Sequence, residues 1–216
     1  MELELGFHAF ASGKKYAYVL AEHEDGKSPA PVFLRNIVFL QRTPGSMECV
    51  VVREWGARSN KRAWEPPKGQ MEWKELEAAG YKRGDKISAT HLAKQMRAGA
   101  LRELQEEAKI KPAEAKRLRM LPLAYVQAWP ESGVKNAHFR YQFWIAEITN
   151  RTMFEAQARL QKICNHPELP TLLTPDNVEK DAVGFWSPAD GWDMIRGGFS
   201  QKMTRMFISF MEKHGI

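Results

Sequence analysis

Residues 102–107 read Arg-Glu-Leu-Gln-Glu-Glu, and residues 69–75 read Gly-Gln-Met-Glu-Trp-Lys-Glu. At about 100° per residue, positions 91–108 predict a helix with Ala93, Ala100, Leu101, Leu104 and Ala108 on one side and Glu103, Glu106 and Glu107 on another. Thr90 or Ser88 is the expected N-cap. Three carboxylates on one arc within two turns repel one another unless a cation intervenes. Hard oxygen ligands so placed suit Mg²⁺ or Mn²⁺, which take a few carboxylates and complete their shell with water and substrate phosphates. For the glutamates alone, a solvated acidic helix face is the plainer reading. What precedes the helix changes that weighting.

Immediately upstream, residues 64–69 read Trp-Glu-Pro-Pro-Lys-Gly, a stiff loop in which neither proline can donate to a strand ladder. Runs 15–21, 32–41 and 48–55 are aromatic and β-branched and read as strands, with turns at 25–31 and 43–47. Downstream, 122–129 and 139–148 read as two further strands, 150–162 as a helix, 165–176 as a loop with three prolines, 182–186 as a short strand and 200–213 as an amphipathic helix. Between the two opening stretches, Gly80 and Gly84 interrupt the helical composition of 89–100, which predicts an exposed loop near 80–86 and an N-terminal extension of the glutamate helix. The order strands, glycine loop, helix, strands, helix predicts an α/β fold, an α/β/α sandwich with a mixed, curved sheet.

A chain of 216 residues implies one domain, here residues 1–216 with an insertion at about 76–96. Its 44% hydrophobic content, with 7 Trp and 11 Phe, supplies a core and excludes outright disorder. No apolar run reaches the roughly 18 residues of a membrane helix, so no membrane partner is expected. The start, Met-Glu-Leu-Glu-Leu-Gly-Phe, has no secretory pattern, and 2 cysteines build no disulfide framework; a reducing compartment, cytoplasm or nucleus, is the expectation. A net charge of +6 favours anionic partners such as nucleotides, inositol phosphates or RNA, although plain solubility explains it equally well. Composition leaves the oligomeric state open.

Together, the two opening stretches resemble the Nudix box, G-x5-E-x7-R-E-U-x-E-E-x-G-U, at six defined positions: Gly69, Glu75, Arg102, Glu103, Glu106 and Glu107. The chain departs from it twice. Between Glu75 and Arg102 lie 26 residues, 19 more than the box has, and Lys109 stands where the box has glycine, although Ile110 fills the last apolar position. Loops accept such added length at modest entropic cost. Trp64-Glu-Pro-Pro-Lys-Gly-Gln70 resembles the approach to the box in asymmetric dinucleoside tetraphosphate hydrolases, and Pro-Lys-Gly is also seen in decapping relatives. The strand at 140–148 is similar to a Tyr-Trp-Leu-Ala-Glu type strand of those hydrolases, and residues 179–186, Glu-Lys-Asp-Ala-Val-Gly-Phe-Trp, to the family's acidic loop and aromatic strand. The likeness runs from about 32 to 216; the first thirty residues and the insertion have no counterpart.

The resemblance implies a hydrolase that cleaves a phosphoanhydride with Mg²⁺ or Mn²⁺ held by the Gly69 carbonyl and by Glu103, Glu106 and Glu107. It implies that Arg102 pairs with Glu75 and orients the acidic cluster, and that Glu103 or a downstream acid takes the proton from the attacking water. Glu179 holds the place of the family's acidic loop, with Asp181 and Glu147 competing; for Glu147 a solvated strand carboxylate is the plainer reading. Lys68, Arg62 and Arg140 are candidates to reach a phosphate, and Tyr141, Tyr125, Trp129 and Phe143 to stack on a base; surface cations and core aromatics explain them as readily. His138 is a weaker phosphate candidate. The implied substrate is a small-molecule polyphosphate, a dinucleoside polyphosphate foremost, with diphosphoinositol polyphosphates and capped or triphosphorylated RNA 5′ ends as alternatives. A non-catalytic nucleotide- or RNA-binding module is the reading of another class, and loss of the acidic triad would have been its sign. Glu107→Gln is expected to lower turnover by on the order of a thousandfold, and to raise the melting temperature of the metal-free protein by relieving carboxylate repulsion.

Overall fold

The structure, a computed structural model, describes residues 2–22, 29–57, 63–166 and 179–215. Its strands are β1 (Glu2–Ala9), β2 (Lys15–Glu22), β3 (Pro29–Gln41), β4 (Cys49–Glu54), β5 (Trp64–Glu65), β6 (Lys68–Gln70), β7 (Lys86–Ser88), β8 (Lys116–Ala128), β9 (His138–Glu147) and β10 (Lys180–Trp186). The helices are α1 (Trp73–Ala78), α2 (Ala89–Glu107), α3 (Asn150–Cys164) and α4 (Phe199–His214). The fold is α/β with a mixed sheet and helices, as the order of elements predicts. One sheet has the strand order β7-β1-β2-β3-β9-β8, with β6 paired to β3; a second runs β10-β4-β5. In β3 every residue from Asn36 to Gln41 is buried, and in β9 every residue from Tyr141 to Ala146. Strands buried at consecutive positions are covered on both faces. No helix among the described residues is long and apolar enough to cross a membrane.

Two compact units interleave along the chain. The first comprises Met1–Ile37, Gly69–Ala100 and Leu121–Gln142. Here β1 and β2 form an antiparallel hairpin, and Gly6 faces Tyr18 across it. A Cβ on Gly6 would lie 2.3 Å from the Tyr18 ring, so only glycine lets that ring lie flat over β1. On its other edge β1 pairs antiparallel with β7, Leu3 opposite Ile87, and both Leu5 and Ile87 are buried. The unassigned N-terminus and the insertion thus complete each other: β7 covers the edge of β1 that β2 leaves unpaired. The Asn36 amide donates to the Met96 carbonyl at 3.0 Å, and a Cβ on Gly99 would meet that amide at 3.1 Å and a Glu75 carboxylate oxygen at 3.5 Å. Gly99 therefore lets α2 approach closely at this point. Phe33, Trp129 and Phe139 form the aromatic centre of this unit, Trp129 stacked on Phe139 at 3.9 Å.

The second unit comprises Val38–Lys68, Leu101–Met120 and Phe143–Ile216. In it β10 pairs antiparallel with β4, with an irregularity in register between Lys180 and Ala182. Thr149 caps α3 by accepting the Thr152 N–H at 3.1 Å. On α4, Met203, Phe207, Ile208 and Met211 are buried at helical spacing, and Phe207 stacks on Phe39 at 3.9 Å. That spacing is the one expected for 200–213.

Several expectations need correction. β1 is absent from the expected strands, although its Glu-Leu-Glu-Leu alternation has the period of two of a half-buried strand. Pro29 and Pro31, assigned to a turn, open β3; the rest of that turn, 25–28, lies outside the described residues, as do Arg62 and most of the 165–176 loop. The stiff loop at 64–69 contains two short strands joined by Pro66 and Pro67, and the Pro67 carbonyl accepts the Val38 N–H at 2.9 Å. Pro122 lies inside β8, an end strand where a missing N–H is tolerated. The 80–86 segment is surface-lying, yet its amides are bonded: Tyr81 to Leu76 at 3.0 Å, Gly84 to Leu5 at 2.8 Å and Asp85 to Lys82 at 3.1 Å. Helix α2 starts at Ala89, where Ser88 Oγ accepts the His91 N–H at 3.3 Å.

Candidate active site

The last two turns of α2 set the geometry. Four-residue spacing aligns Arg102 with Glu106 and Glu103 with Glu107. Glu103 and Glu107 are only 7% and 5% exposed, so the acidic arc is not a solvated helix face. Burying carboxylates is costly unless cations or N–H groups meet them, and here each is met. The Arg102 guanidinium donates to both Glu103 and Glu106. Glu107 accepts the Lys68 backbone N–H at 2.8 Å on one oxygen and lies 3.2 Å from the Lys180 ammonium with the other.

Glu107 belongs to a buried cluster of four charges. Lys180 lies 2.8 Å from Glu65, Lys68 pairs with the same Glu65, and the Ser200 hydroxyl donates to Glu65 at 2.9 Å. Burial alone would raise the Glu65 carboxyl, but Lys68 and Lys180 outweigh it and hold the group well below the usual carboxylate range. Burial opposes the charge of Lys180, yet Glu107 and Glu65 together hold its ammonium above the usual lysine range. The irregular register at Lys180 is what a β-bulge does next to a site: it re-aims one side chain. The neighbours of Glu107 are thus cations as well as carboxylates. Burial pushes the Glu107 carboxyl above its ordinary range against the opposing pull of Lys180 and Lys68, so its charge is held there at a cost.

At the end of α2, Lys109 has φ +56°, the left-handed conformation that usually ends a helix on glycine. A side chain there costs on the order of 1 kcal/mol. The Lys109 ammonium turns back to donate to the Glu106 carbonyl at the negative end of the helix dipole. Burial depresses its pKa, against the pull of Glu106 and Glu107.

The remaining candidates are divided. Gly69, Glu75, Arg140 and Tyr141 belong to the first unit. Gly69 is buried in β6, and Glu75 caps α1 by accepting the Glu72 N–H at 3.0 Å. Arg140 is exposed on β9, whereas Tyr141 is buried beneath Arg35, whose guanidinium lies 5.8 Å from its ring. Of the downstream acids, Asp181 binds Arg53 at 2.7 Å and the Gly56 N–H at 3.2 Å, and Glu147 pairs with Arg117 at 3.2 Å. Glu179 is exposed just before β10 and near enough to Lys109 to favour its charge. Glu65 and Lys180 were missed. Both lie inside quoted motifs, and the one available signal was a charged residue inside a strand-like run, which buries only when paired.

No family model matches the chain. No curated protein matches it in sequence. Among solved structures it is similar to an Ap4A hydrolase from C. elegans, crystallised as a binary complex, at 15% identity and a TM-score of 0.42, covering 84% of this chain and 98% of that one. It is also similar to a NUDIX hydrolase from Nitrosomonas europaea, at 14% identity and a TM-score of 0.42, covering 95% of this chain and 92% of that one.

Among the described residues, no three His, Cys, Asp or Glu side chains converge on one metal point. The chemistry of the donor set nonetheless fits a hard divalent cation. Glu103, Glu106 and Glu107 are all carboxylates within two turns, with Arg102 against the first two and the Lys68 amide and Lys180 against the third, although burial still raises the Glu107 carboxyl. The carboxylates and their counter-cations thus hold one another in place.

Proposed function

We propose that this protein is a divalent-metal-dependent pyrophosphohydrolase that cleaves a phosphoanhydride bond in a nucleoside polyphosphate, with a dinucleoside polyphosphate as the preferred substrate. The observation that carries the reading is the burial of Glu103 and Glu107 on one helix whose Arg-Glu-Leu-Gln-Glu-Glu sequence matches the box. Glu103, Glu106 and Glu107 would hold Mg²⁺ or Mn²⁺, which when bound neutralises charge on the phosphate oxygens and makes a coordinated water more acidic. Arg102 fixes the rotamers of Glu103 and Glu106 through its planar fork. Glu103 accepts the proton of the attacking water, with Glu179, just before β10, as the second acid. The Lys68 amide and Lys180 hold Glu107 in place.

The test is incubation with Mg²⁺ or Mn²⁺ and a panel of dinucleoside tetraphosphate, diphosphoinositol polyphosphate and capped RNA, with products separated by ion exchange. Hydrolysis of the dinucleoside substrate is the expected result, with Glu103→Gln slowing it by about a hundred- to a thousandfold, as for loss of one principal electrostatic group. Retained binding with no product from any substrate would make the chain a binding module instead.

A further inference from the structure

The second unit contains a cavity of about 470 Å³ at the C-terminal end of α2, on whose wall stand Arg102, Glu106, Lys109, Lys111 and Arg159. That volume is in the range of small-ligand sites. Its wall carries four cations and one carboxylate. Arg159 is fixed in place: it donates to both oxygens of Glu114, to Glu155 at 3.0 Å and to the Lys109 carbonyl at 2.9 Å. The same contact pins the backbone of Lys109, the residue held in the left-handed conformation where the box pattern has glycine. Glycine would relax that position; lysine instead sets an ammonium-bearing side chain on the cavity wall at a cost in backbone strain, as with strained residues at ligand sites.

We infer that this cavity is an anion subsite that takes the contiguous phosphates of a small-molecule oligophosphate, with Lys109 and Lys111 as the binding cations and Arg159 as the group that positions Lys109. Glu106 belongs both to the cavity wall and to the acidic turn, so the subsite adjoins the place where the proposed cleavage occurs; in that respect it rests on the hydrolase reading. A phosphate chain extending away from the scissile bond would meet the Lys109 ammonium, held against the Glu106 carbonyl, and the exposed Lys111 there, both of which recognise phosphate as point charges. The first consequence is a preference for longer phosphate chains over shorter ones.

The experiment measures binding of inorganic tripolyphosphate by calorimetry in EDTA at low salt, with no turnover required. Lys109→Gly is the diagnostic variant, because it relieves backbone strain and so folds at least as well as the parent. The expected result is that Lys109→Gly melts higher than wild type yet binds tripolyphosphate about tenfold more weakly, and that Lys111→Ala loses a similar factor. Wild-type affinity in both variants, or no binding by the wild type, would overturn the assignment. So would competition at equal affinity by a short oligoribonucleotide lacking 5′ phosphates, since that would make the site one for a nucleic-acid backbone. Binding that responds to Lys109→Gly in a protein that hydrolyses nothing would leave the subsite standing and remove the hydrolase reading; hydrolysis with unaltered tripolyphosphate binding would do the reverse.

Discussion

Replacing Lys180 by methionine removes the ammonium on which two buried carboxylates converge. Lys180 is 6% exposed and lies 2.8 Å from Glu65 and 3.2 Å from Glu107. At those separations each attraction is worth roughly 5–6 kcal/mol at an effective dielectric of about 20, before the cost of desolvating the charges. Deleting one partner of a buried ion pair costs about 3–5 kcal/mol net, because the remaining charges stay buried. We expect Lys180→Met to lose stability in that range, lowering the melting temperature by about 10 °C in a chain of this size. Urea unfolding at pH 7 reads the change directly. Its pH dependence is also specified. Glu65, depressed in the folded state, contributes stability present above its unfolded pKa of about 4.3 and lost as pH falls through the folded value. Lys180, raised in the folded state, contributes stability present below about 10.4 and lost as pH rises through its folded value. The difference between wild type and Lys180→Met is therefore widest between about pH 5 and pH 10 and narrows on both sides. Adding Glu65→Gln to Lys180→Met removes one of the stranded carboxylates, so the double variant loses less than the two single losses combined, by at least about 1 kcal/mol. A loss below about 1 kcal/mol for Lys180→Met, or strict additivity in the double variant, would refute the buried cluster.

Two other regions yield predictions of their own. Native-state hydrogen exchange should protect the Gly84 and Leu5 amides together, because Gly84 donates to the Leu5 carbonyl and Leu5 to the Asp85 carbonyl, both at 2.8 Å; slow exchange at Leu5 with fast exchange at Gly84 would show that the insertion does not dock on β1. Burial, with Glu48 beside it, pushes the Cys49 thiol up to about 12, while Cys164 is partly accessible at the end of α3. Bimane labelling at pH 8 followed by peptide mapping should mark Cys164 first and Cys49 only after denaturation, and prompt labelling of Cys49 would contradict the buried β4.

Much was legible in the sequence because it is local. The apolar run of β3, the aromatic run of β9 and the periodicity of α3 and α4 each declare an element and its buried positions, since side-chain period follows directly from backbone geometry. The same holds for the alignment of Glu103 with Glu107 and of Arg102 with Glu106 on α2. What local pattern cannot supply is the partner. β1 becomes a strand because β7 and β2 satisfy its two edges, and nothing in residues 2–9 announces an insertion some eighty positions away. Whether the glutamate arc faces water or the interior was undecidable from its own spacing, since Arg102 meets Glu103 from next door but Glu107 is buried only where a distant group meets its charge. That group is Lys180, which lies 115 positions from Glu65 and reaches it only because antiparallel pairing of β4 with β10 and of β4 with β5 brings the two strands to the same place. Sequence determined which residues could form the site; long-range strand pairing decided which charges neutralise one another, because electrostatic energy depends on distance in space and is indifferent to distance along the chain.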